Sequence, residues 1–307
     1  MIPGTGADSL KPLHIYLCPA VKILTVRQPG LHRPSARATR RGHAVVPSGN
    51  AEGGAMADKS GIEWTDATWN PVTGCTKVGP GCDNCYAERF AERWRGVAGH
   101  PYGRGFDLRL WPSRLDLPLR WRRPRMVFVN SMSDLFHKGI ERAFIDRVFD
   151  VMERADRHVF QVLTKRSSLM RDYVGKRYAG GAVPRHIWPG VSVEDAAHAN
   201  RISHLREIDS EARFVSFEPL IDDVGDVDLS GIAWAIAGGE SGPSARPMDG
   251  AWAVRIRRLC ERDGAEFFFK QWGGPRPKSN GRLLEGREWN GFPWRVVPAP
   301  IIERLEP

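Results

Sequence analysis

Short apolar runs alternate with amphipathic helical patterns along most of this chain, and this alternation limits its fold more than any other feature. Parallel strands need long crossover connections, so strands that alternate with helices are typical of a parallel α/β sheet. The predicted strands are 69–72, 126–130, 158–164, 187–193, 214–217, 232–237 and 266–270. The predicted helices are 83–94, 142–155, 167–177, 194–208 and 251–263. An open sheet and a partial or complete (βα) barrel both fit, and about six or seven strands favour the barrel.

Polar or glycine-rich groups follow six of the predicted strands. In parallel α/β folds the carboxyl ends of the strands meet at one face, where ligands bind. We therefore expect these groups to form one site, although ordinary helix caps are the alternative for its serines and Asp134. The candidate residues are Asn130, Ser131, Ser133, Asp134, Lys165, Ser192, Glu194, Glu218, Gly238, Gly239, Glu240 and Lys270.

The first 55 residues differ from the rest of the chain in composition and charge. They are rich in proline, glycine, arginine and serine, and Met56 opens a stretch that resembles an ordinary protein start. We interpret 1–55 as a disordered arm or an over-extended gene prediction, 56–273 as the α/β domain and 274–307 as a C-terminal extension. Residues 1–55 carry seven basic and two acidic side chains, so +5 of the formal net charge of +9 lies there. The remaining +4 makes the folded part only mildly basic, which weakens a nucleic-acid argument based on charge.

Three of the five cysteines lie within eleven residues, with the spacing C-x6-C-x2-C. A Gly79-Pro80-Gly81 turn lets the chain double back, so that Cys75 can approach Cys82 and Cys85. The start of a helix at the last two cysteines is expected to favour thiolates, the metal-binding form. A structural zinc site needs four ligands, and His100 and Cys260 are poorly placed to supply the fourth. Three ligands with one open position indicate a chemical role for the site.

Cysteines that cluster in this way, in a chain without a signal peptide, indicate a reducing cytoplasm. No apolar run reaches the roughly 20 residues that a membrane helix needs, so no membrane partner is expected.

The segment 101–124 is predicted to be an insertion in which tryptophans alternate with arginines. Trp111 and Trp121 lie among these arginines and have the chemistry to stack bases beside phosphate contacts. The alternative is an insertion packed over the barrel, with a solvated rim of arginines.

Taken together, these segments resemble the radical-SAM-like three-Cys-motif family of bacteriophage and prophage proteins, a domain family of unknown function. The resemblance covers about Lys59 to Pro293. The segments that carry it are IEWTDATWNP (62–71), the cysteine loop (74–87), NSMSDLF (130–136), LTKR (163–166), SFEPL (216–220), GGESG (238–242), FFKQWG (268–273) and GREW (286–289). Radical-SAM enzymes mostly show C-x3-C-x2-C, so this chain departs from them in its first spacer.

The resemblance implies a radical-SAM, TIM-like barrel in which Cys75, Cys82 and Cys85 hold a 4Fe-4S cluster. The open iron of the cluster would bind S-adenosylmethionine, and its reduction would release a deoxyadenosyl radical. By strand position, the cofactor would lie near Asn130–Asp134, Ser192 and Glu194, with Gly238 and Gly239 allowing a close backbone approach. Lys165 is included among the cofactor contacts.

We therefore expect a radical S-adenosylmethionine-type iron–sulfur enzyme that modifies or repairs a nucleic-acid or nucleotide-related substrate, with Glu218, Glu240 and Lys270 as catalytic candidates. The expected partners are DNA or RNA and a protein encoded nearby. Two alternatives remain open. One is a zinc- or cluster-stabilised nucleic-acid-binding protein without catalysis, and the other is a zinc-dependent hydrolase that uses Glu218 or Glu240.

Overall fold

The computed structural model describes residues 60–299 and 301–302. The leader 1–55 and the proposed start at Met56 lie outside these residues. The strands are β1 (Ala67–Trp69), β2 (Val72–Thr73), β3 (Arg109–Leu110), β4 (Met126–Val129), β5 (Val159–Thr164), β6 (Ile187–Ser192), β7 (Phe214–Phe217), β8 (Trp234–Gly238) and β9 (Glu266–Gln271). The helices are α1 (Tyr86–Glu92), α2 (Leu117–Arg120), α3 (Arg142–Arg154), α4 (Ser167–Arg177), α5 (Asn200–Arg206) and α6 (Gly250–Asp263).

Seven of the strands form one parallel sheet in the order β1-β4-β5-β6-β7-β8-β9. Each strand pairs with the next strand of the sheet along the chain, so right-handed crossovers put the helices on the same side. Most of these strands are buried along their whole length, which explains their continuous apolar runs. The predicted parallel α/β fold with six or seven strands is confirmed.

One layer of the core lies between the sheet and its helices. Phe149 of α3, Met170 of α4 and Ile256 of α6 belong to the same buried cluster as alternate residues of the strands, such as Val127 and Val129. Alternation along each strand sends the remaining side chains to the opposite face of the sheet. Alternate apolar residues of each strand therefore pack against the helices.

The opposite face of the sheet is concave and is filled by aromatic rings. Trp64, which precedes β1, lies edge-on to Trp234 of β8, with 6.0 Å between ring centroids. These strands are five positions apart in the sheet, a distance of about 24 Å if the sheet were flat. Contact across it requires the sheet to curl into a partial barrel.

The end of the described chain closes the concave face. Residues 289–291 run beside β9, where Phe269 N–H donates to the Trp289 carbonyl and Gly291 N–H to the Phe267 carbonyl. Val296, Val297 and Ile301 then join the aromatic cluster around Trp234. A segment beyond the last strand thus supplies part of the barrel's interior.

Several element predictions differ from the structure in their boundaries, and the predicted helix 83–94 is shortened to Tyr86–Glu92. Two predicted elements are interrupted. The predicted strand 69–72 is broken after Trp69, and Val72–Thr73 pairs instead with β3 in a separate antiparallel ribbon. The predicted helix 194–208 begins only at Asn200, because Asp195 caps a single turn at Ala196–His198. The spacing of apolar residues does not show where a strand ends or a capped turn interrupts a helix, so neither break could be predicted from it.

The insertion 101–124 packs against the main core. Leu108, Leu117 and Trp121 are partly buried against the helix-side cluster. The ring of Trp111 already has the guanidinium groups of Arg109 and Arg114 at 3.7 and 3.9 Å from its centroid. The two tryptophans are therefore engaged within the chain, as the packed-insertion alternative predicts. In the described part of the chain, no helix combines the length and apolar character needed to cross a membrane.

Candidate functional site

The predicted strand-end residues all lie at the carboxyl edge of the curled sheet, as parallel pairing requires. Asn130 to Asp134 follow β4, Lys165 follows β5, Glu194 follows β6 and Glu218 follows β7. Ser192 ends β6, Gly238 ends β8 with Gly239 and Glu240 just after it, and Lys270 lies in the last part of β9. The prediction that they share one face is therefore met.

The cysteine loop, residues 74–85, extends across this face. Gly74 N–H donates to the Met132 carbonyl at 3.0 Å, which holds the start of the loop at the end of β4. At its other end, Asn84 donates to a Glu240 carboxylate oxygen at 2.9 Å, beyond β8. The loop thus spans from the second strand of the sheet to the sixth and covers the mouth of the barrel.

Arg166 connects Cys75 to the end of β5. Its guanidinium lies 3.4 Å from Cys75 Sγ, donates to the Thr76 carbonyl at 2.9 Å and pairs with Asp134 at 3.0 Å. Both side chains of this ion pair are less than a tenth exposed. Arg166 therefore fixes the first cysteine and brings a positive charge to its sulfur.

Asp134 accepts four hydrogen bonds, two on each carboxylate oxygen. The donors are Thr164 Oγ1 at 2.7 Å, Phe136 N–H at 2.9 Å, Arg166 at 3.0 Å and Lys165 N–H at 3.1 Å. A carboxylate with this many donors ties the ends of β4 and β5 together. The bond from Phe136 N–H, two residues further along the chain, is the kind of local capping contact that was the alternative interpretation of Asp134.

Glu194 forms a buried charge cluster below the cysteine loop. Lys165 and Arg201 both pair with its carboxylate, and Arg201 also donates to the Ser192 carbonyl at 2.8 Å. A Cβ atom on Gly81 would lie 2.3 Å from the Glu194 side chain, so the loop can lie here only with glycine at this position. Predicted cofactor residues Lys165 and Glu194 are thus brought together, each neutralising the other.

The two predicted catalytic carboxylates are both paired with cations. Lys270 Nζ lies 2.8 Å from Glu218, which also accepts from Ser216 Oγ. Arg246 makes three bonds to Glu240, two from its guanidinium and one from its backbone N–H, and its guanidinium also donates to the Pro80 carbonyl of the cysteine loop at 2.9 Å. Burial raises the pKa of Glu240, but the bonds from Arg246 and Asn84 outweigh it and leave the pKa lowered. This carboxylate therefore stays ionised and locks the loop.

The remaining predicted residues are placed at the same mouth. Asn130 is buried with φ of 59°, and its Nδ2 has no hydrogen-bond partner among the described residues. Ser133 Oγ donates to the Val72 carbonyl, and the Ser131 carbonyl accepts from the Tyr86 hydroxyl. The space beside Gly238 and Gly239 is taken by the Glu218 carboxylate and the Trp272 carbonyl. These glycines serve packing within the chain, and their contact with a cofactor stays a prediction.

Burial acts against the thiolate form at Cys75 and Cys85. Burial raises the pKa of Cys75, and the nearby Arg166 only partly offsets this effect. Burial also raises the pKa of Cys85, although the N–H groups of Glu88 and Ala87 at the start of α1 lower it. The helix effect predicted from the sequence is present at Cys85, but desolvation exceeds it. Cys82 ends a separate single turn, Pro80–Cys82, and does not begin α1.

The three loop cysteines do not form a ready-made site for a single metal ion in the described structure. Within residues 60–299 and 301–302, no three His, Cys, Asp or Glu side chains are grouped closely enough to hold one ion. A mononuclear zinc site needs its sulfurs within about 2.3 Å of the same point. Cys75, Cys82 and Cys85 are partly buried on one loop, with Arg166 beside the first, and they are the three residues that would hold an iron–sulfur cluster with three cysteine ligands.

Three arginines at this site were not identified from the sequence: Arg166, Arg246 and Arg89. The Nε and Nη1 atoms of Arg89 are buried and have no partner in the described structure, and its Nη2 donates to the Ser241 carbonyl. Gly242 has a φ of 134°, a conformation that favours glycine, and it lies against the Arg89 guanidinium, which accounts for the last glycine of the GGESG segment. Arg166 lies within the LTKR segment at the end of β5, and this position in the sequence could have identified it as a candidate site residue.

The family model described as "Protein of unknown function (DUF5131)" matches residues 59–293. The chain belongs to this family. The DUF5131 match covers the span predicted for the resemblance, Lys59 to Pro293, and its description names no activity. No protein with a curated description matches the chain at a significant level.

Solved structures of spore photoproduct lyase are similar to this chain at low identity. A cysteine-to-serine mutant has a TM-score of 0.42 and 12% identity, over 67% of this chain and 76% of that chain. A double mutant with bound AdoMet and dinucleoside spore photoproduct has a TM-score of 0.39 and 12% identity over the same shares. The lyase complexed with dinucleoside spore photoproduct has a TM-score of 0.35 and 12% identity, over 65% and 62%. The fold assignment for this chain rests on its own strand order.

Proposed function

We propose that this chain is a radical S-adenosylmethionine-type iron–sulfur enzyme. The observation that carries the proposal is the three-cysteine loop held across the carboxyl ends of seven parallel strands. Parallel α/β barrels bind their ligands at this face. A loop of thiols with no fourth ligand of its own leaves one position of a cluster open to a cofactor.

Cys75, Cys82 and Cys85 would hold a 4Fe-4S cluster at this position. When bound, such a cluster supplies the electron that cleaves the sulfonium bond of S-adenosylmethionine. Arg166 contributes a fixed positive charge beside Cys75, which favours an anionic group at the loop. Asn130 contributes a buried amide donor without a partner, which suits a carboxylate or another polar group of the cofactor.

The ion pairs around the mouth hold the loop in place and restrict the access of water. Asn84 and Arg246 connect the loop to Glu240, and Glu194 fills the space under Gly81. Lys270 and Glu218 form a half-buried pair at the ends of β9 and β7. In this proposal the pair orients a polar substrate, and Glu240 acts on the loop rather than on the substrate.

For the substrate we propose a nucleic acid or a nucleotide-related molecule, in a modification or repair reaction associated with phage. Support comes from Arg89 beside the mouth, because its buried Nε and Nη1 atoms have no partner among the described residues and suit an anionic group. A zinc-dependent hydrolase is less well supported, since Glu218 and Glu240 are already paired with Lys270 and Arg246. A general base for metal-bound water needs a carboxylate that can accept a proton.

The test is electron paramagnetic resonance of protein reconstituted anaerobically with iron and sulfide and then reduced with dithionite. We expect a 4Fe-4S signal that shifts when S-adenosylmethionine is added and disappears in Cys82→Ala. Cys260→Ala is the matched control, because Cys260 is buried in α6 away from the loop and should leave the signal unchanged. A colourless protein with one bound zinc would overturn the proposal and favour the binding protein or the hydrolase.

A further inference from the structure

Exposed apolar side chains are concentrated on one surface beside the cysteine loop. Of the seven large hydrophobic side chains exposed in the described part of the chain, five lie between residues 78 and 97. They are Val78, Tyr86, Phe90, Trp94 and Val97, with exposed fractions between 37% and 53%. Solvent-exposed clusters of this kind mark interaction sites.

The large rings and the small residues of the same helical stripe differ in exposure. Periodicity puts Tyr86, Ala87, Phe90, Ala91 and Trp94 on one side of α1, yet only the two alanines are buried. The small residues allow α1 to lie flat on the barrel mouth, and the larger rings are left at its edge. The rings are therefore available to a partner.

Four rings form a connected platform, which we call the aromatic platform and define as Phe90, Trp94, His100 and Tyr102. The Trp94 and His100 rings are stacked at 4.1 Å, and Phe90 meets Tyr102 edge-on at 5.5 Å. His100 and Tyr102 lie 5.9 Å apart. Contacts between neighbouring rings limit their rotation, which lowers the entropy cost of stacking a ligand on them.

The platform lies in a basic stretch of the folded chain. Residues 77–114 contain seven basic and four acidic side chains, a net charge of +3 out of the +4 that follows residue 55. The acidic groups already have partners in the structure, as Glu88 pairs with Lys77, and Arg95 bonds to both Glu92 and Asp107. Arg93 is exposed, and no ion pair of it is present in the described residues. Arg93 and Arg104 are thus available to phosphates, since Arg104 is 70% exposed and meets Asp107 only at 4.0 Å.

We propose that the aromatic platform binds single-stranded nucleic acid, with bases stacked on its rings and phosphates near Arg93 and Arg104. Rings surrounded by positive charge are the combination that unpaired strands recognise, because bases in a duplex cannot offer their faces. Cys85 immediately precedes α1, so a bound strand passes beside the cysteine loop. The substrate role rests on the proposed function, whereas the binding itself requires no cluster.

The test measures the fluorescence anisotropy of labelled oligothymidine with the full-length, cluster-free protein at several salt concentrations. Phe90→Ala and Trp94→Ala should each weaken binding by about fivefold or more, from the usual contribution of one stacked base. Trp294→Ala is the control, because it removes a tryptophan that is 48% exposed at another place on the surface, and it should leave the affinity unchanged.

Arg93→Glu should weaken binding and reduce its salt dependence. The control Arg258→Glu, on the exposed side of α6, should change neither the affinity nor its salt dependence.

Every variant retains the basic residues 1–55, so a difference between variants reports the platform alone. Equal affinities for wild type, Phe90→Ala and Trp94→Ala would overturn the proposal and leave the surface to a protein partner. Binding of duplex as tightly as of single strand would also overturn it. If Phe90→Ala and Trp94→Ala lose oligonucleotide affinity but keep the iron–sulfur signal, the platform binds nucleic acid independently of the cluster. A failed reconstitution with normal oligonucleotide binding would contradict the proposed function alone.

Discussion

At the scale of single residues, the most informative contact is the one between Arg166, Asp134 and Cys75. The sequence marks Asp134 and Cys75 as candidates, but only the structure shows that Arg166 joins them. A guanidinium can bond an aspartate, a carbonyl and a sulfur at once because its donors point in different directions in one plane. The first cysteine is therefore fixed through a strand that lies 91 residues away in the chain.

Removal of this guanidinium should destabilise the fold. Arg166→Ala leaves the buried Asp134 carboxylate without its cation, and we expect a loss of about 3 kcal/mol in the free energy of unfolding. Chemical denaturation of the cluster-free protein measures it. The control is Arg171→Ala, whose more exposed pairs with Asp172 and Glu207 should contribute less than about 1 kcal/mol. Equal losses in the two variants would show that Arg166 is no more than a surface contact.

At the scale of elements, the cysteine loop depends on what lies beneath it. Gly81 rests on Glu194, and Glu194 is held by Lys165 and Arg201 from two other elements. The glycine turn was predicted to let the chain double back, and the structure adds a second reason for it. The loop is a separate layer over the strand ends, so its shape is decided by the residues below.

Two glycine substitutions should have opposite effects. Gly81→Ala forces the new methyl group against a fixed Glu194 and should cost about 1–3 kcal/mol of unfolding free energy. Gly175→Ala lies within α4 with nothing within 4 Å of the added Cβ, and it should stabilise the protein by about 0.5–1 kcal/mol. Thermal denaturation of both variants compares them directly. A stabilising Gly81→Ala would mean that the loop does not rest on Glu194.

At the scale of the whole molecule, the barrel is closed by aromatic packing rather than by strand pairing. Trp234 contacts Trp64 before β1, Trp188 of β6 and Phe292 beyond β9. Edge strands β1 and β9 do not pair with each other in the described sheet. The curl of the sheet is therefore maintained by side chains on its concave face.

Truncation of the central ring should reveal this dependence. Trp234 is fully buried, and its indole N–H donates to the Gly291 carbonyl. Trp234→Ala should lower the free energy of unfolding by about 3–5 kcal/mol, as expected for a large ring lost from a core. Trp294→Ala, at an exposed ring, should change it by no more than about 0.5 kcal/mol. Denaturant titrations followed by circular dichroism distinguish these values, and similar effects would argue against a central role for Trp234.

By itself, the sequence determined the order and type of the main elements. The strand 214–217 was predicted with the bounds that the structure has, and the helices that became α3, α4 and α6 were predicted to within one residue at each end. These elements are buried along one face or throughout, so their apolar pattern reports their structure directly. The meeting of the strand ends at one face followed from parallel pairing, which needs no knowledge of side-chain contacts.

Only the tertiary structure decided which side chains touch across the mouth. It paired Glu218 with Lys270 and Glu194 with Lys165, which come from different strand ends, and it placed Arg246 against Glu240 within the loop that follows β8. It also left Tyr86, Phe90 and Trp94 exposed on a helix whose periodicity fits burial. Periodicity shows which residues share a side of a helix, but burial depends on whether another element covers that side. That choice is made by long-range packing, which no local pattern encodes.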